Sequence, residues 1–329
     1  MSCQGKHHIL EISHLSIDFL QYTTSMSREW VPSISDLSAY VHEGEVVAVV
    51  GSSGSGKSLL AHAVLGILPE NARMEGRIFF EEEELTEERK RAYRGDKIAL
   101  IPQSVTSLDP LMKVGRQILG KKRGTQKDRK RRERLRALFE RYHLAKEVEN
   151  FYPHECSGGM LRRVLLCTAL IENPRLIIAD EPTTGMDRAL AEQAMEDFRA
   201  FAAKGNGVLL ITHDLELAVR TADRIVVFYA GTTLEEALSS DFGDERLLRH
   251  PYTKALWRAL PEHDFVSVPG SQPLGAGHDG GCVYMPRCPL ADDRCRGTIE
   301  FRTVDCGSVR CVRGGREDEP EGRETHLFL

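Results

Sequence analysis

The sequence predicts an α/β fold built around a mainly parallel sheet. Residues 46–50 read Val-Val-Ala-Val-Val, and an unbroken apolar run of this kind is typical of a strand buried on both faces. Comparable runs recur along the chain with helix-like segments between them, which is the pattern of a parallel sheet covered by helices. These further strands are predicted at 98–102, Leu176–Asp180, Gly207–Thr212 and 225–228.

The remaining elements follow from the periodicity of the apolar residues. Apolar and polar residues alternate over 8–20 and again over 37–41, which predicts antiparallel strands at one edge of the fold. A helix is predicted at 59–68. In a second helix, at 129–144, apolar residues recur at helical spacing, so one face is buried. A third helix is predicted at 161–171.

Length and charge restrict the class of protein. The 329 residues correspond to about two domains, and the net charge of −5 argues against a surface devoted to nucleic acid. The apolar runs are far shorter than the roughly 20 residues of a membrane-spanning helix. The first residues lack the apolar segment of a secretory signal. We therefore expect a protein that stays in the cytosol.

Two segments differ in composition from the rest. Residues 121–136 hold ten Lys or Arg in sixteen positions. Such a run attracts nucleic acid or anionic lipid, or else forms the solvated face of a helix, which is the simpler interpretation. Over 261–281, Gly and Pro increase and periodicity fades, which predicts a linker. It would join a main domain at 8–260 to a cysteine-rich segment at 282–315, and we expect 316–329 to be disordered.

The strand at 46–50 is followed directly by a phosphate-binding motif. Residues 51–58 fit the pattern G-x-x-x-x-G-K-[ST]. The glycines let backbone N–H groups turn toward phosphate oxygens, Lys57 reaches the terminal phosphates, and the Ser58 hydroxyl ligates Mg²⁺. The predicted nucleotide-binding residues are Gly51, Ser52, Ser53, Gly54, Ser55, Gly56, Lys57 and Ser58.

A second apolar strand ends in two carboxylates, Asp180 and Glu181. In a nucleotide site the first holds Mg²⁺ directly or through water, and the second polarises the attacking water. Two acids at a strand end are often only helix caps. Together with the motif at 51–58, they predict an ATPase or GTPase of the phosphate-loop class.

Residues 156–160, Cys-Ser-Gly-Gly-Met, open the predicted helix at 161–171. Backbone N–H groups and the helix dipole make Ser157, Gly158 and Gly159 an exposed anion site. This segment resembles the L-S-G-G-Q signature of ABC ATPases. Cys156 and Met160 stand where the signature usually has Leu and Gln, but the Ser-Gly-Gly triad is intact, so we expect activity to survive.

The resemblance implies an ABC-type ATPase domain with an antiparallel edge sheet and a helical subdomain at about 104–172, followed by a small C-terminal cysteine-containing tail. In this family the signature contacts ATP held on the phosphate loop of another subunit. It therefore implies a head-to-tail dimer with a second ABC ATPase subunit, a paralogue or a second copy, that encloses two composite sites.

Further positions match the family. Gln103 is similar to the Q-loop glutamine, which would join Ser58 and Asp180 around Mg²⁺. Glu181 and His213 are implied as catalytic residues, with His213 contacting the γ-phosphate, and Met186-Asp187 is similar to the D-loop. Phe19 is the best candidate for stacking on adenine, and Tyr22 is the second.

The resemblance narrows to the ATP-binding subunits of dipeptide, oligopeptide and nickel importers. It covers roughly residues 8–312, and the segment His250-Pro251-Tyr252-Thr253 is specific to this branch. It implies a subunit that hydrolyses ATP to drive import of short peptides, nickel or another metal complex through two transmembrane permeases. An external substrate-binding protein would act indirectly, and the subunit would lie on the cytoplasmic face of the cell membrane.

A soluble ABC ATPase that acts on nucleic acid in repair or translation is the alternative. Such relatives generally fuse two ATPase modules or insert long coiled coils, and neither is seen in this sequence. We therefore expect no nucleic-acid partner.

Five of the eight cysteines lie between residues 282 and 311. In a reducing compartment this clustering points to metal rather than disulfides. The segment resembles one that carries a [4Fe-4S] cluster in some members of the branch, which implies Cys282, Cys288, Cys295 and Cys311 as ligands, with Cys306 in reserve. Zinc, whose sites usually use shorter spacings, and free thiols stay open.

Overall fold

The computed structural model describes residues 7–22, 27–52, 54–120, 126–268, 270–273 and 281–314. The strands are β1 (His8–Tyr22), β2 (Arg28–His42), β3 (Val46–Val50), β4 (Ala72–Phe80), β5 (Glu83–Glu84), β6 (Ile98–Ile101), β7 (Leu176–Asp180), β8 (Gly207–Thr212), β9 (Arg224–Tyr229), β10 (Thr232–Leu238), β11 (Arg302–Val304) and β12 (Gly307–Val309). The α-helices are α1 (Lys57–Leu65), α2 (Glu87–Tyr93), α3 (Val114–Leu119), α4 (Gln126–Arg141), α5 (Gly158–Leu170), α6 (Arg188–Ala202), α7 (Leu215–Thr221) and α8 (Pro251–Arg258).

The strands follow the path β5-β4-β1-β2-β10-β9-β3-β8-β7-β6 in the described part of the chain. Strands β9, β3, β8, β7 and β6 run parallel to their neighbours in this part of the path, whereas β5, β4, β1 and β2 pair antiparallel. The predicted α/β fold with a parallel core and an antiparallel edge sheet is confirmed.

Element ends differ from the predictions for local reasons. Helix α1 ends at Leu65 because Gly66 adopts a left-handed conformation and caps it. Helix α5 begins at Gly158, three residues earlier than predicted, because the Ser157 hydroxyl accepts the N–H of Met160 and forms the N-cap. The segment predicted as a strand at 37–41 is the end of the longer strand β2.

Apolar side chains form two clusters on opposite faces of the parallel sheet. Along β3, Val46, Ala48 and Val50 face one cluster, while Val47 and Val49 face the other. This alternation is the pleat of a strand buried on both faces. The first cluster continues into the helical region of α3, α4 and α5, and the second packs α1 against the antiparallel sheet.

The basic segment forms part of α4. Its residues 121–125 lie outside the described residues, as do the side chains of 126–128. Several of its later arginines pair with carboxylates: Arg129 with Glu133, Arg131 with Glu172, Arg132 with Glu149. The apolar residues Leu135, Phe139 and Tyr142 are buried. This part of the run is therefore the polar face of an amphipathic helix.

The cysteine-rich segment is joined to the core sheet. Strand β12 pairs with β10 and with β11, and Arg310 forms an ion pair of 2.6 Å with Asp36 of β2. Of the predicted linker, 269 and 274–280 lie outside the described residues, as do 315–329 at the end. No helix of the described residues is long and apolar enough to cross a membrane.

Candidate nucleotide site

The phosphate-binding motif forms the turn between β3 and α1. A side chain at Gly51 is excluded because a Cβ there would lie 2.1 Å from the carbonyl oxygen of Phe228 on β9. Gly56 has φ +97, and a Cβ there would lie 3.0 Å from the carbonyl oxygen of Ser33. Ser53 lies outside the described residues. The turn is held against two strands, which presents the N-terminus of α1 to an anion.

Lys57 lies within this turn and is 6% exposed. Its Nζ donates to the carbonyl oxygens of Gly51 at 2.7 Å and Ser52 at 2.8 Å. Burial lowers the pKa of Lys57, and the carboxylates of Glu181 and Asp180 oppose that effect. The ammonium group is thus paired with its own loop, and phosphate oxygens can replace these carbonyls as acceptors.

Asp180 ends β7 and is buried. Its Oδ1 has no hydrogen-bond partner, whereas the carboxylate is hydrogen-bonded to Ser58. Burial raises the pKa of Asp180, and the bond from Ser58 opposes this. A buried, unpartnered carboxylate oxygen beside a hydroxyl matches the hard oxygen ligands that Mg²⁺ prefers, so these residues fit the metal.

Glu181 and His213 lie at the ends of the parallel strands β7 and β8. The Glu181 Oε1 accepts two hydrogen bonds from His213, one from the backbone N–H at 3.0 Å and one from Nδ1 at 2.7 Å. This contact assigns the ring proton facing Glu181 to Nδ1. Glu181 has φ +48, a strained conformation for a non-glycine residue, while His213 is 57% exposed in its side chain.

The signature residues lie at the surface. Ser157 and Gly158 are exposed, and a Cβ at Gly158 would meet no atom within 4 Å. Ser157 caps α5 through Met160, and Asp187 caps α6 through the N–H of Leu190. The chain leaves the anion site at the start of α5 open to solvent.

The other sequence-predicted residues differ in their surroundings. The side chain of Gln103 is exposed, and Arg162 of α5 donates to its backbone carbonyl. Phe19 is half-buried against the cluster that contains α1. Tyr22 is 69% exposed, and its hydroxyl accepts a hydrogen bond from Arg28.

Two residues at the site, Arg162 and Tyr252, had no role predicted from the sequence. Arg162 interrupts the apolar face of α5, and a charged residue at a buried helix position was the sequence signal that could have identified it. Tyr252, in the His-Pro-Tyr-Thr segment, is buried, and its phenol hydrogen-bonds the Ser52 side chain of the phosphate loop. Ser52 also donates to Gln272, so the C-terminal region contacts the phosphate loop directly.

Cys282, Cys288, Cys295 and Cys311 line one cavity, which His250 and Leu290 also border. Cys306 is exposed in the turn between β11 and β12. Among the described residues, no three His, Cys, Asp or Glu side chains converge closely enough to hold a single metal ion.

Backbone N–H groups point at three of the four thiols that line this cavity. The N–H of Arg313 donates to the Cys311 Sγ at 3.4 Å. Cys282 and Cys288 receive corresponding bonds from Tyr284 and Leu290. In each case the donor lies two residues after the cysteine. Burial raises the pKa of these three thiols, and the N–H bonds oppose that effect by stabilising the thiolate, the form of cysteine that binds metal.

Comparisons with known proteins agree with this geometry. Residues 34–184 match the family model described as ABC transporter, and residues 235–295 match that of the oligopeptide/dipeptide transporter C-terminal region. The oligopeptide transport ATP-binding protein AppD of Bacillus subtilis is 35% identical, over 87% of this chain and 90% of the relative. The dipeptide transport ATP-binding protein DppD of Escherichia coli is 36% identical, over 88% and 90%.

Solved structures share the fold. The dimeric structure of MJ0796, a bacterial ABC transporter cassette, superposes with a TM-score of 0.60 at 26% identity, over 70% of this chain and 98% of that one. Its post-hydrolysis state bound to ADP and Pi gives 0.61 at 25% identity, with the same coverage. The chain therefore belongs to the ABC transporter ATP-binding proteins, in the oligopeptide and dipeptide transport family, and is an ATPase coupled to transport.

Proposed function

We propose that this chain powers the import of short peptides through two separate membrane permeases, paired with a second ATPase subunit. One observation carries the proposal. Two relatives that align with this chain over 90% of their own length are named for oligopeptide and dipeptide transport. The match of 235–295 to the C-terminal region of that group adds support. A nickel or other metal complex is the competing cargo, and the comparisons do not favour a nucleic-acid function.

At the ATP site, Lys57 and the backbone N–H groups of the phosphate loop bind the β- and γ-phosphates, and Phe19 stacks on the adenine. Ser58, Asp180 and Gln103 would hold Mg²⁺, which would supply positive charge beside the phosphate oxygens. Glu181 orients a water through Oε2 while His213 holds its Oε1. The water oxygen attacks the γ-phosphorus, its proton passes toward Glu181, and ADP leaves with the electrons of the broken P–O bond.

The open signature completes the site of a second subunit. Ser157, Gly158 and Gly159 present an anion site that their own chain leaves unfilled. A head-to-tail dimer brings it to the γ-phosphate on the other subunit, with the permeases on the membrane side. The subunit then works at the cytoplasmic face of the membrane, and an external binding protein supplies the peptide.

The test is transport by the assembled complex. In proteoliposomes containing the chain, its cognate permeases and the second ATPase subunit, we expect ATP-dependent uptake of a radiolabelled tripeptide. A Glu181→Gln variant should hydrolyse ATP at least about 100-fold more slowly, whereas Glu192→Gln, an exposed acid on α6, should match wild type. Uptake of ⁶³Ni²⁺ in place of peptide, or full activity of Glu181→Gln, would contradict the proposal.

A second candidate function concerns the cysteine-rich segment, where we propose that Cys282, Cys288, Cys295 and Cys311 hold a [4Fe-4S] cluster. Four thiolates are the ligand set of such a cluster. Here the thiols surround a cavity with apolar walls. A cavity between the ligands suits a cluster of several atoms better than a single ion. The N–H groups directed at Cys282, Cys288 and Cys311 also fit sulfur ligands. The bound cluster would supply redox chemistry or a structural crosslink.

Anaerobic purification tests this assignment. We expect about four iron and four sulfide per chain with a broad visible absorption band, lost in Cys288→Ser and kept in the matched control Cys306→Ser. Zinc in place of iron, four free thiols in the metal-free protein, or loss of the band in Cys306→Ser would each contradict it.

A further inference from the structure

Arg162 is a buried cation outside the residues assigned so far. It lies on α5, five positions after the signature serine, and is 8% exposed. Its Nη1 donates to the carbonyl oxygens of Pro102 at 3.1 Å and Gln103. Removing a guanidinium from water is costly unless its hydrogen bonds are satisfied. The residue is therefore held at a defined place rather than simply solvated.

The two acceptors explain what this arginine does locally. Strand β6 is at the end of the sheet and stops at Ile101, so Pro102 and Gln103 lie beyond the ladder that orders the strand backbone. Their carbonyls are instead ordered by a side chain from α5. The next element is a single 3-10 turn at 105–107. It begins two residues after Gln103, whose carbonyl oxygen accepts from Arg162.

Arg162 also lies within the electrostatic influence of the two carboxylates at the end of β7. The charges of Asp180 and Glu181 act on the Arg162 guanidinium and oppose the effect of its burial. One side chain of the helix that begins at the signature thus contacts the loop that carries Gln103 and lies within electrostatic range of the two carboxylates. Its neighbour Arg163 instead donates to Gly159, Tyr142 and His143.

We propose that Arg162 is a positioning residue that fixes the backbone of the Gln103 loop beside Asp180 and Glu181 and links this loop to the signature helix. The inference rests on the proposed role of Gln103 at Mg²⁺. Docking of a second subunit on the start of α5 would then be transmitted to the metal end of the chain's own ATP site through the buried Arg162 side chain.

The test uses the assembled complex and the variants Arg162→Gln, Arg162→Lys and Arg163→Gln. For Arg162→Gln we expect the Mg²⁺ concentration for half-maximal ATP hydrolysis to rise about tenfold, the scale of one lost charge-assisted hydrogen bond, with ATP binding in EDTA unchanged. Lysine, which keeps the charge and a donor, should restore most of the loss. Arg163→Gln should leave the Mg²⁺ midpoint at the wild-type value.

Backbone amide exchange at 103–108 gives a second readout that does not depend on metal. It should accelerate in Arg162→Gln and not in Arg163→Gln. Unchanged exchange and an unchanged Mg²⁺ midpoint in Arg162→Gln, or equal effects in Arg163→Gln, would overturn the inference. If Arg162→Gln does not fold, Arg162→Lys decides, because an ammonium lacks the planar guanidinium geometry and should still speed exchange at 103–108 measurably.

Gln103→Ala separates this inference from the proposed function. If Gln103→Ala raises the Mg²⁺ midpoint and Arg162→Gln does not, the positioning role is wrong and the metal role of Gln103 stands. If neither variant raises it, the metal role of Gln103 is wrong, and amide exchange alone decides whether Arg162 positions the loop.

Discussion

The phosphate loop and the signature segment are two helix N-termini with opposite surroundings. The first is enclosed: a Cβ at Gly51 would lie 2.1 Å from a carbonyl oxygen of β9, and Lys57 donates to its own loop. The second is open, with no atom within 4 Å of a Cβ at Gly158. Both present backbone N–H groups that suit an anion, but only the first is enclosed by its own chain.

The difference separates folding from assembly. Substitutions in the enclosed site should lower the stability and the ATP affinity of the isolated chain, because the loop is packed against β2 and β9. Substitutions in the open site should leave the fold of the isolated chain intact. Their effect on ATP hydrolysis should appear only when two subunits meet. Substitutions at Gly51, Gly158, Ser157 and Tyr252 test this separation.

Gly51→Ala should abolish nucleotide binding. The added methyl group collides with the Phe228 carbonyl, so the loop or β9 must move, at a cost of about 1–3 kcal/mol in unfolding free energy. We expect ATP affinity to fall beyond detection by titration calorimetry and the melting temperature to drop. ATP affinity within a factor of two of wild type would contradict the enclosed-loop description.

Gly158→Asp should separate binding from turnover. The side chain enters open space, so the isolated chain should keep its melting temperature and its ATP affinity. In the dimer the new carboxylate meets the γ-phosphate of the other subunit, and we expect hydrolysis to fall about 100-fold from charge repulsion at the transition state. A loss of ATP affinity in the isolated chain would show that the signature belongs to the chain's own site.

Ser157→Ala should lower hydrolysis by the dimer less than Gly158→Asp does, but it should also destabilise the isolated chain slightly. The Oγ of Ser157 accepts the N–H of Met160, and loss of such an N-cap costs about 1 kcal/mol of stability. The proposed contact with phosphate predicts a further fall in dimer hydrolysis, by about tenfold. Ser157→Asn, a good N-cap, should recover the stability in chemical denaturation without full recovery of turnover. Full recovery of both would leave the hydroxyl a purely structural role.

Tyr252→Phe should produce the smallest effect. The variant keeps the buried ring and removes the phenol that hydrogen-bonds Ser52. We expect ATP affinity to fall about twofold to fivefold, the scale of one neutral hydrogen bond, with little change in melting temperature. Tyr93→Phe, at a tyrosine of α2 whose hydroxyl donates to Glu83, is the matched control. Equal effects of the two variants would show that the C-terminal contact with the phosphate loop does not matter.

Much of the ATP site was predictable because its residues are contiguous in sequence. The pattern at 51–58 specifies a turn of fixed geometry between a buried strand and a helix, and Asp180-Glu181 follows an equally plain apolar run. Glu181 and His213 were predicted at the ends of two strands, and parallel strands end at one edge of a sheet, but the hydrogen bond between the two residues was not predicted. Arg162 was not predictable, because its partners at Pro102 and Gln103 are sixty positions away and are backbone carbonyls without a sequence signal.

The fold class, the phosphate loop and the two carboxylates follow from the amino-acid sequence alone, because strand periodicity and short motifs act over a few neighbouring residues. Tertiary structure decided which sites are enclosed and which are open, that four of the C-terminal cysteines line one cavity while Cys306 lies outside it, and that Tyr252 reaches Ser52. These depend on contacts between segments up to two hundred residues apart, whose geometry is set by packing of the whole sheet.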